Sequence, residues 1–337
     1  MRNSGWAAAL AVALGLAAPA AAKPVDLLFV AGDSLSDPGN VFAATSALAD
    51  LLPALVQPIP PSPPYFDGRF SDGPVWVEGL GDRLGLTAAE VRNVALGGAK
   101  TSGHTALDDV PAFARPLLSD AGIGGLRQQV DTYLAAGGPV SPDGLYVLWA
   151  GATNYLFDDP TTTPAGVPRP VLDVDRSVRE LADAGATRFL VPNLPDLGRL
   201  PSTRGDPEAA ALSAATGAHN TALAATLAAA AARRDLEIEL FDVAGFFAEA
   251  LAGAFDFANV TTPCIRAPVT CDDALFFDGI HPTAAAHDRL ADFAVEAIAT
   301  PLPPGLALIA PPLAALAWRA RQARGKRRRA DARRLAR

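Results

Sequence analysis

Basic residues are scarce in the body of this chain: between residues 23 and 300 there are 17 Lys and Arg against 35 Asp and Glu, a net charge of −18. A surface that acidic repels phosphate backbones, which excludes a nucleic-acid partner. The formal charge of −8 for all 337 residues hides the imbalance, because ten of the 28 basic residues lie in the last nineteen positions beside a single acid, Asp331. Cysteine is scarcer still. Cys264 and Cys271 stand seven apart in a Pro-rich loop with no neighbouring His, so local spacing cannot complete a tetrahedral zinc shell. No metal and no cofactor are expected, and in an oxidising compartment the two thiols would form a disulfide. Of the four histidines only His281 has an acid at catalytic spacing, Asp278; His104, His219 and His287 have none and are expected at surface or helix positions. Internal repeats and an inter-domain linker are also missing, while half of the residues are apolar. That composition supports one sizeable core.

Apolar runs occur at both ends. Arg2, the apolar stretch 6–18 and Ala20-Ala21-Ala22 before Lys23 have the order of an export signal over residues 1–22, which predicts an oxidising destination for the two cysteines. After Thr300 come Pro301-Leu302-Pro303-Pro304, an apolar run to Trp318, and a basic cluster of Arg319, Arg321, Arg324, Lys326, Arg327, Arg328 and Arg329. The run is of marginal length for a bilayer core, Pro311-Pro312 would kink it, and the basic block would stay cytoplasmic. Residues 301–337 are therefore expected to form a stop-transfer or sorting tail that touches the membrane before processing.

Between these ends, residues 23–300 alternate short apolar strands with helical stretches. Strands are predicted at 25–30, 91–96, 145–149, 188–192 and 237–243, each of the first three running into a loop of small residues. Helical spacing follows Asn40 and Val75 and recurs at 174–184 and 207–234, the last of these rich in Ala. Strictly alternating strands and helices argue a single α/β domain with a mostly parallel central sheet, helices on both faces, and functional groups at the carboxyl ends of the strands. Long loops are expected around 53–74 and 158–170.

Asp278 and His281, three residues apart between an aromatic run and a Pro-Thr helix start, can present both side chains to one point, the acid orienting the imidazole as a general base. Such a pair needs a nucleophile. Ser34, in Gly32-Asp33-Ser34-Leu35-Ser36-Asp37 at the end of the first strand, suits it, with its own N–H and a following helix N-terminus expected to face the attacked carbonyl oxygen. Gly98 ends the second strand and can bring a backbone N–H to the same oxygen; Thr153 and Asn154 end the third and offer side-chain donors. Asp33, Asp37 and Asn40 are expected to support the loop, and Tyr65, Phe66, Phe70 and Trp76 to line an acyl pocket or pack into core and loop.

Three stretches, Gly32 to Asp37 with Gly39-Asn40, Asn93-Val94-Ala95-Leu96-Gly97-Gly98-Ala99, and Asp278-Gly279-Ile280-His281-Pro282-Thr283, resemble the first, second and last blocks of the GDSL, or SGNH, serine esterases and lipases. Asn193-Leu194-Pro195-Asp196-Leu197-Gly198 and the loop 65–74 resemble that family's exported bacterial branch. The resemblance implies a flavodoxin-like three-layer α/β/α sandwich and metal-free hydrolysis of carboxylic esters, lipids or acylated carbohydrates included. It implies nucleophile, glycine-donor and base roles for Ser34, Gly98 and His281 with Asp278. A carbohydrate O-deacetylase, or a surface binding module on the same fold, is the alternative. The family's third block usually reads Gly-x-Asn-Asp, whereas this chain has Gly151-Ala152-Thr153-Asn154. Either the Thr153 hydroxyl donates, or the loop brings Asn154 in, or the oxyanion hole has two donors. The tail resembles PEP-CTERM or VPLPA-type sorting signals, which implies an exosortase as a processing partner and a periplasmic, cell-surface or extracellular destination in a Gram-negative bacterium.

Overall fold

Three strands with no polar alternation set the architecture, because a strand with apolar residues on both faces must be covered on both. In a computed structural model, which describes residues 24–53, 56–108, 115–157, 166–266 and 270–299, these are β1 (Leu28–Gly32), β3 (Leu145–Trp149) and β4 (Arg188–Pro192), buried along their whole length. The shorter or more polar β2 (Val91–Asn93) and β5 (Glu237–Phe241) take the edges. All pairs are parallel, in the order β2-β1-β3-β4-β5. Helices α1 (Asn40–Leu51) and α2 (Trp76–Arg83) follow β1; α3 (Arg115–Asp120) and α4 (Leu126–Ala135) follow β2; α5 (Ala152–Phe157) and α6 (Arg169–Asp183) follow β3. The chain then runs through α7 (Ala209–Arg234), α8 (Val243–Leu251) and α9 (Ala284–Ala299).

The period-2 alternation of strand side chains divides the core into two layers. Leu28, Val30, Val147, Trp149 and Leu190 face α2, α8 and α9 through Trp76, Leu80, Phe246, Leu290 and Ala294. Phe29, Ala31, Tyr146, Leu148 and Phe189 face α4, α6 and α7 through Leu126, Val130, Val174, Leu181 and Leu227. The result is the α/β sandwich with a mostly parallel sheet that the alternation of elements predicts.

Several boundaries differ from the sequence expectation: β1 covers Leu28–Gly32 and not 25–30, β5 ends at Phe241 and not 243, and α7 begins at Ala209 and not 207. β2 ends at Asn93 and not 96, although Val94 and Leu96 still donate to Val30 and Gly32, and the Asn93 side chain accepts the Ala95 N–H at 3.0 Å. α6 begins at Arg169, five residues early, since Pro170 occupies its first turn, where a proline costs no hydrogen bond. Cys264 and Cys271 are joined as a disulfide in the loop that leads to Asp278. Among the described residues no helix is long and apolar enough to cross a membrane; the expected export signal at 1–22 and tail at 301–337 lie outside the described residues.

Candidate active site

The sheet register explains why loops from distant parts of the chain meet. Gly32 pairs with Trp149 and Val30 with Asn93, so β1, flanked by β2 and β3, delivers Ser34 beside the loops that carry Gly98 and Thr153. This carboxyl edge, where the strand order reverses around β1, is the position at which open α/β sheets bind ligands. The end of β1 is held from below by Gln129 of α4, whose side chain accepts the Gly32 N–H and donates to the Gly32 carbonyl, both at 2.9 Å.

Ser34 is partly exposed, and its Oγ lies 2.7 Å from His281 Nε2. The other ring nitrogen, Nδ1, lies 2.7 Å from Asp278 Oδ2. Asp278 is held in turn by the backbone N–H groups of Ile280 and His281, which donate to Oδ1 at 2.8 and 2.7 Å. The spacing Asp-x-x-His thus makes a tight turn that fixes acid and imidazole together, and Thr283, accepting the Ala286 N–H, starts α9 directly after it. Burial opposes ionisation of Asp278, but the adjacent His281 charge and the hydrogen bonds from His281 and Ile280 outweigh it and hold the carboxyl well below the usual carboxylate range. A hydroxyl on one imidazole nitrogen and a carboxylate on the other is an arrangement able to activate the hydroxyl and to stabilise the imidazolium that results.

One expectation is corrected. The N-terminus of α1 does not face the site. It begins six residues after Ser34, and the Asp37 carboxylate occupies it, accepting N–H groups of Gly39, Asn40 and Val41 together with that of Gly97. Burial pushes Asp37 up to about 6 against these four donors. The aromatics divide between the alternatives expected for them. Trp76 is core, Phe66 is exposed, Phe70 lies over His281 with ring centroids 5.0 Å apart, and the Tyr65 hydroxyl donates to Asp278 Oδ2 at 2.8 Å. Tyr65 lies 213 residues from Asp278, and no local pattern in the sequence links them.

Gly98 has φ +81°, a backbone state that favours glycine, and its N–H, like that of Ser34, makes no hydrogen bond among the described residues. A Cβ would meet nothing closer than 3.7 Å there, so conformation and not space demands the glycine. At Gly97 space decides: a Cβ would overlap the Phe70 ring. In the third block Asn154 Oδ1 accepts the Thr101 N–H at 3.0 Å, and Thr101 Oγ1 donates to the buried Asp173 Oδ2 at 3.2 Å. The Asn154 carbonyl oxygen is therefore engaged in tying α5 to the Gly98 loop. The Thr153 hydroxyl has no hydrogen-bond partner among the described residues.

Three buried titratable groups surround this centre. Asp33, next to Ser34, is pushed up to about 7 by burial; its Oδ1 accepts the Leu35 N–H and its Oδ2 has no partner among the described residues. His219 on α7 pairs with the Tyr155 hydroxyl at 3.0 Å, and burial lowers it to about 4. His287 on α9 accepts the Trp76 N–H at 3.3 Å, and burial together with the His281 charge lowers it to about 3. Both histidines lie on helices, as expected, but inside the core. Among the described residues no group of three or more His, Cys, Asp or Glu is placed to hold a metal ion.

Comparison with known proteins adds the following. The family model described as GDSL-like lipase/acylhydrolase matches residues 28–294. A phosphatidylcholine-sterol acyltransferase of Aeromonas hydrophila is 33% identical over 221 residues, covering 65% of this chain and 59% of that protein. A thermolabile hemolysin of Vibrio parahaemolyticus is 27% identical over 293 residues, covering 79% of this chain and 62% of that protein. The matches thus span about three fifths of these curated relatives. The crystal structure of a lipolytic G-D-S-L family member from Veillonella parvula aligns with a TM-score of 0.41 at 14% identity, over 82% of this chain and 98% of that one.

Proposed function

Since this chain belongs to the GDSL-like lipase/acylhydrolase family, we propose that it cleaves carboxylic esters by a Ser34-His281-Asp278 triad through an acyl-enzyme. The observation that carries this reading is the unbroken line from Ser34 Oγ through both nitrogens of His281 to Asp278, each contact 2.7 Å. His281 Nε2 takes the Ser34 proton as Oγ forms its bond to the ester carbonyl, and the imidazolium is stabilised by Asp278. It then gives the proton to the departing alcohol. Water repeats the sequence against the acyl-enzyme, releasing the acid and restoring Ser34. The developing oxyanion would meet the Ser34 and Gly98 N–H groups and the Thr153 hydroxyl, with Asn154 acting as the tie to the Gly98 loop.

The test is hydrolysis of p-nitrophenyl acetate and butyrate together with fluorophosphonate labelling. Ser34→Ala is expected to abolish labelling and to lower kcat/KM by on the order of 10⁴-fold or more; equal turnover by the variant would refute the triad. A series of longer acyl chains separates an esterase from a lipase, and acetylated polysaccharide tests O-deacetylation. The Aeromonas relative's name adds transfer to a sterol, tested by supplying an alcohol acceptor in the same assay. Labelling and turnover both absent in the native protein would favour the binding-module reading.

Export through the inner membrane, division into a 1–22 signal, a 23–300 hydrolase body and a 301–337 membrane or sorting tail, and processing by an exosortase complete the proposal. The Cys264–Cys271 disulfide supports an oxidising destination. Protein recovered from its native host is expected to begin at Lys23 and to lack the basic terminus by intact mass; an unprocessed chain in the cytoplasm would overturn this.

A further inference from the structure

Asp278 receives more than a triad acid needs. Its Oδ1 is filled by two backbone N–H groups, which already fix its orientation, while Oδ2 accepts both the His281 Nδ1–H at 2.7 Å and the Tyr65 hydroxyl at 2.8 Å. The phenol therefore competes with the imidazole for one carboxylate oxygen. Its placement is anchored on three sides. The ring packs edge-on against Phe277 at 5.2 Å and Phe70 at 6.0 Å; Phe66 N–H bonds the Ser71 carbonyl at 2.9 Å; and Arg69 grips Glu78 of α2 at 2.9 and 2.7 Å. Phe70 from the same loop lies on His281, so one segment both covers the base and donates to its acid.

We propose that Tyr65 is a positioning residue that acts through Asp278, its hydroxyl withdrawing charge from Oδ2 and so setting how strongly the acid favours the imidazolium form of His281. This rests on the serine-hydrolase reading above. A hydrogen bond to a carboxylate lowers the negative charge available to a second donor on the same oxygen. Without the phenol, Oδ2 keeps more of its charge for the imidazolium, and the variant is expected to lose its base at a higher pH than the native protein. The other titratable groups that feel His281 are Asp33 beside Ser34 and His287 on α9, and neither bonds Tyr65.

The test compares native protein, Tyr65→Phe and site-specific 3-fluorotyrosine at position 65, whose phenol is a stronger donor. For Tyr65→Phe the acid limb of kcat/KM is expected to move up by roughly 0.5 to 1 pH unit. The low-field proton resonance of His281 Nδ1–H, assigned by its loss in His281→Asn, is expected to move further downfield. Fluorotyrosine should move both the other way, and it keeps the fold if the Phe variant does not. An acid limb and resonance that match the native protein in both variants, or a rate loss uniform in pH with the resonance unmoved, would overturn the proposal. Ser34→Ala keeps the two readings apart: native turnover that does not depend on Ser34 removes the hydrolase reading, while the resonance still decides what Tyr65 does to the Asp278–His281 pair.

Discussion

At the scale of the residue, the third block, Gly151 to Asn154, differs from the Gly-x-Asn-Asp that the resemblance leads one to expect, and the hydrogen bonds show how the two side chains divide their tasks. Asn154 spends its side-chain oxygen on the Thr101 N–H, a task that an Asp carboxylate at the same position would also perform. Thr153 is left with a hydroxyl that bonds no described residue, buried at 5% exposure and set at the carboxyl end of β3. A hydroxyl rotates freely, so it is a less preorganised oxyanion donor than an amide held in plane. Thr153→Val is accordingly expected to lower kcat by on the order of 100-fold with KM little changed, Thr153→Asn to exceed the native rate, and Asn154→Asp to keep most of it. The measurement is ester turnover of the three variants side by side. If Asn154→Asp falls as far as Thr153→Val, Asn154 itself is the donor and the assignment reverses. An unchanged or lower rate for Thr153→Asn would show that the hole is not short of a donor.

At the scale of the element, what was legible in the sequence follows from how local each signal is. β1 and β3 are unbroken apolar runs closed by small-residue loops, and β4 is apolar after Arg188, so their burial on both faces could be read directly, with the end of β1 displaced by two residues. Ser34, Asp278 and His281 could be read because each sits in a short block whose neighbours define its geometry: Asp278 needs only the two N–H groups of its own turn. The end of β2 could not be read, since Val94 and Leu96 still bond β1 beyond it. Nor could the start of α6, where Pro170, placed at the end of a long loop, instead fills a first turn. The contacts that assemble the site's surroundings are longer in range. Thr101 reaches Asp173 across 72 residues and Gln129 reaches Gly32 across 97, and neither pair leaves a periodicity. The expectation that the α1 N-terminus would face the oxyanion failed because Asp37, read only as loop support, takes the Gly39, Asn40 and Val41 N–H groups there.

At the scale of the whole molecule, four buried groups near the site make stability respond to pH in opposing ways. His219 and His287 are held below their ordinary 6.5, at about 4 and about 3, so as the pH falls below 6.5 the unfolded chain takes up protons that the folded one refuses, and stability is lost. Asp33 and Asp37 are raised from 3.8 to about 7 and about 6, so between those limits the folded chain binds protons that the unfolded one lacks, and stability is gained as the pH falls. Over the interval between about 6 and about 4 the two effects largely cancel. Removing one partner exposes the balance: relative to the native protein, His219→Gln is expected to gain about 1.4 kcal/mol per pH unit as the pH is lowered from 6.5 toward 4. Chemical denaturation at a series of pH values measures this, and parallel curves would show that His219 titrates normally. The hydrogen bond between Ser34 and His281 spans 247 residues, and that separation has a consequence for biosynthesis. Ser34 is among the earliest residues of the body to be made, and His281 follows only as α9, the last helix of the described residues, is about to begin. Under the proposed triad, the serine would stay an ordinary alcohol throughout the intervening synthesis, and a nascent or prematurely terminated chain would be inert toward esters.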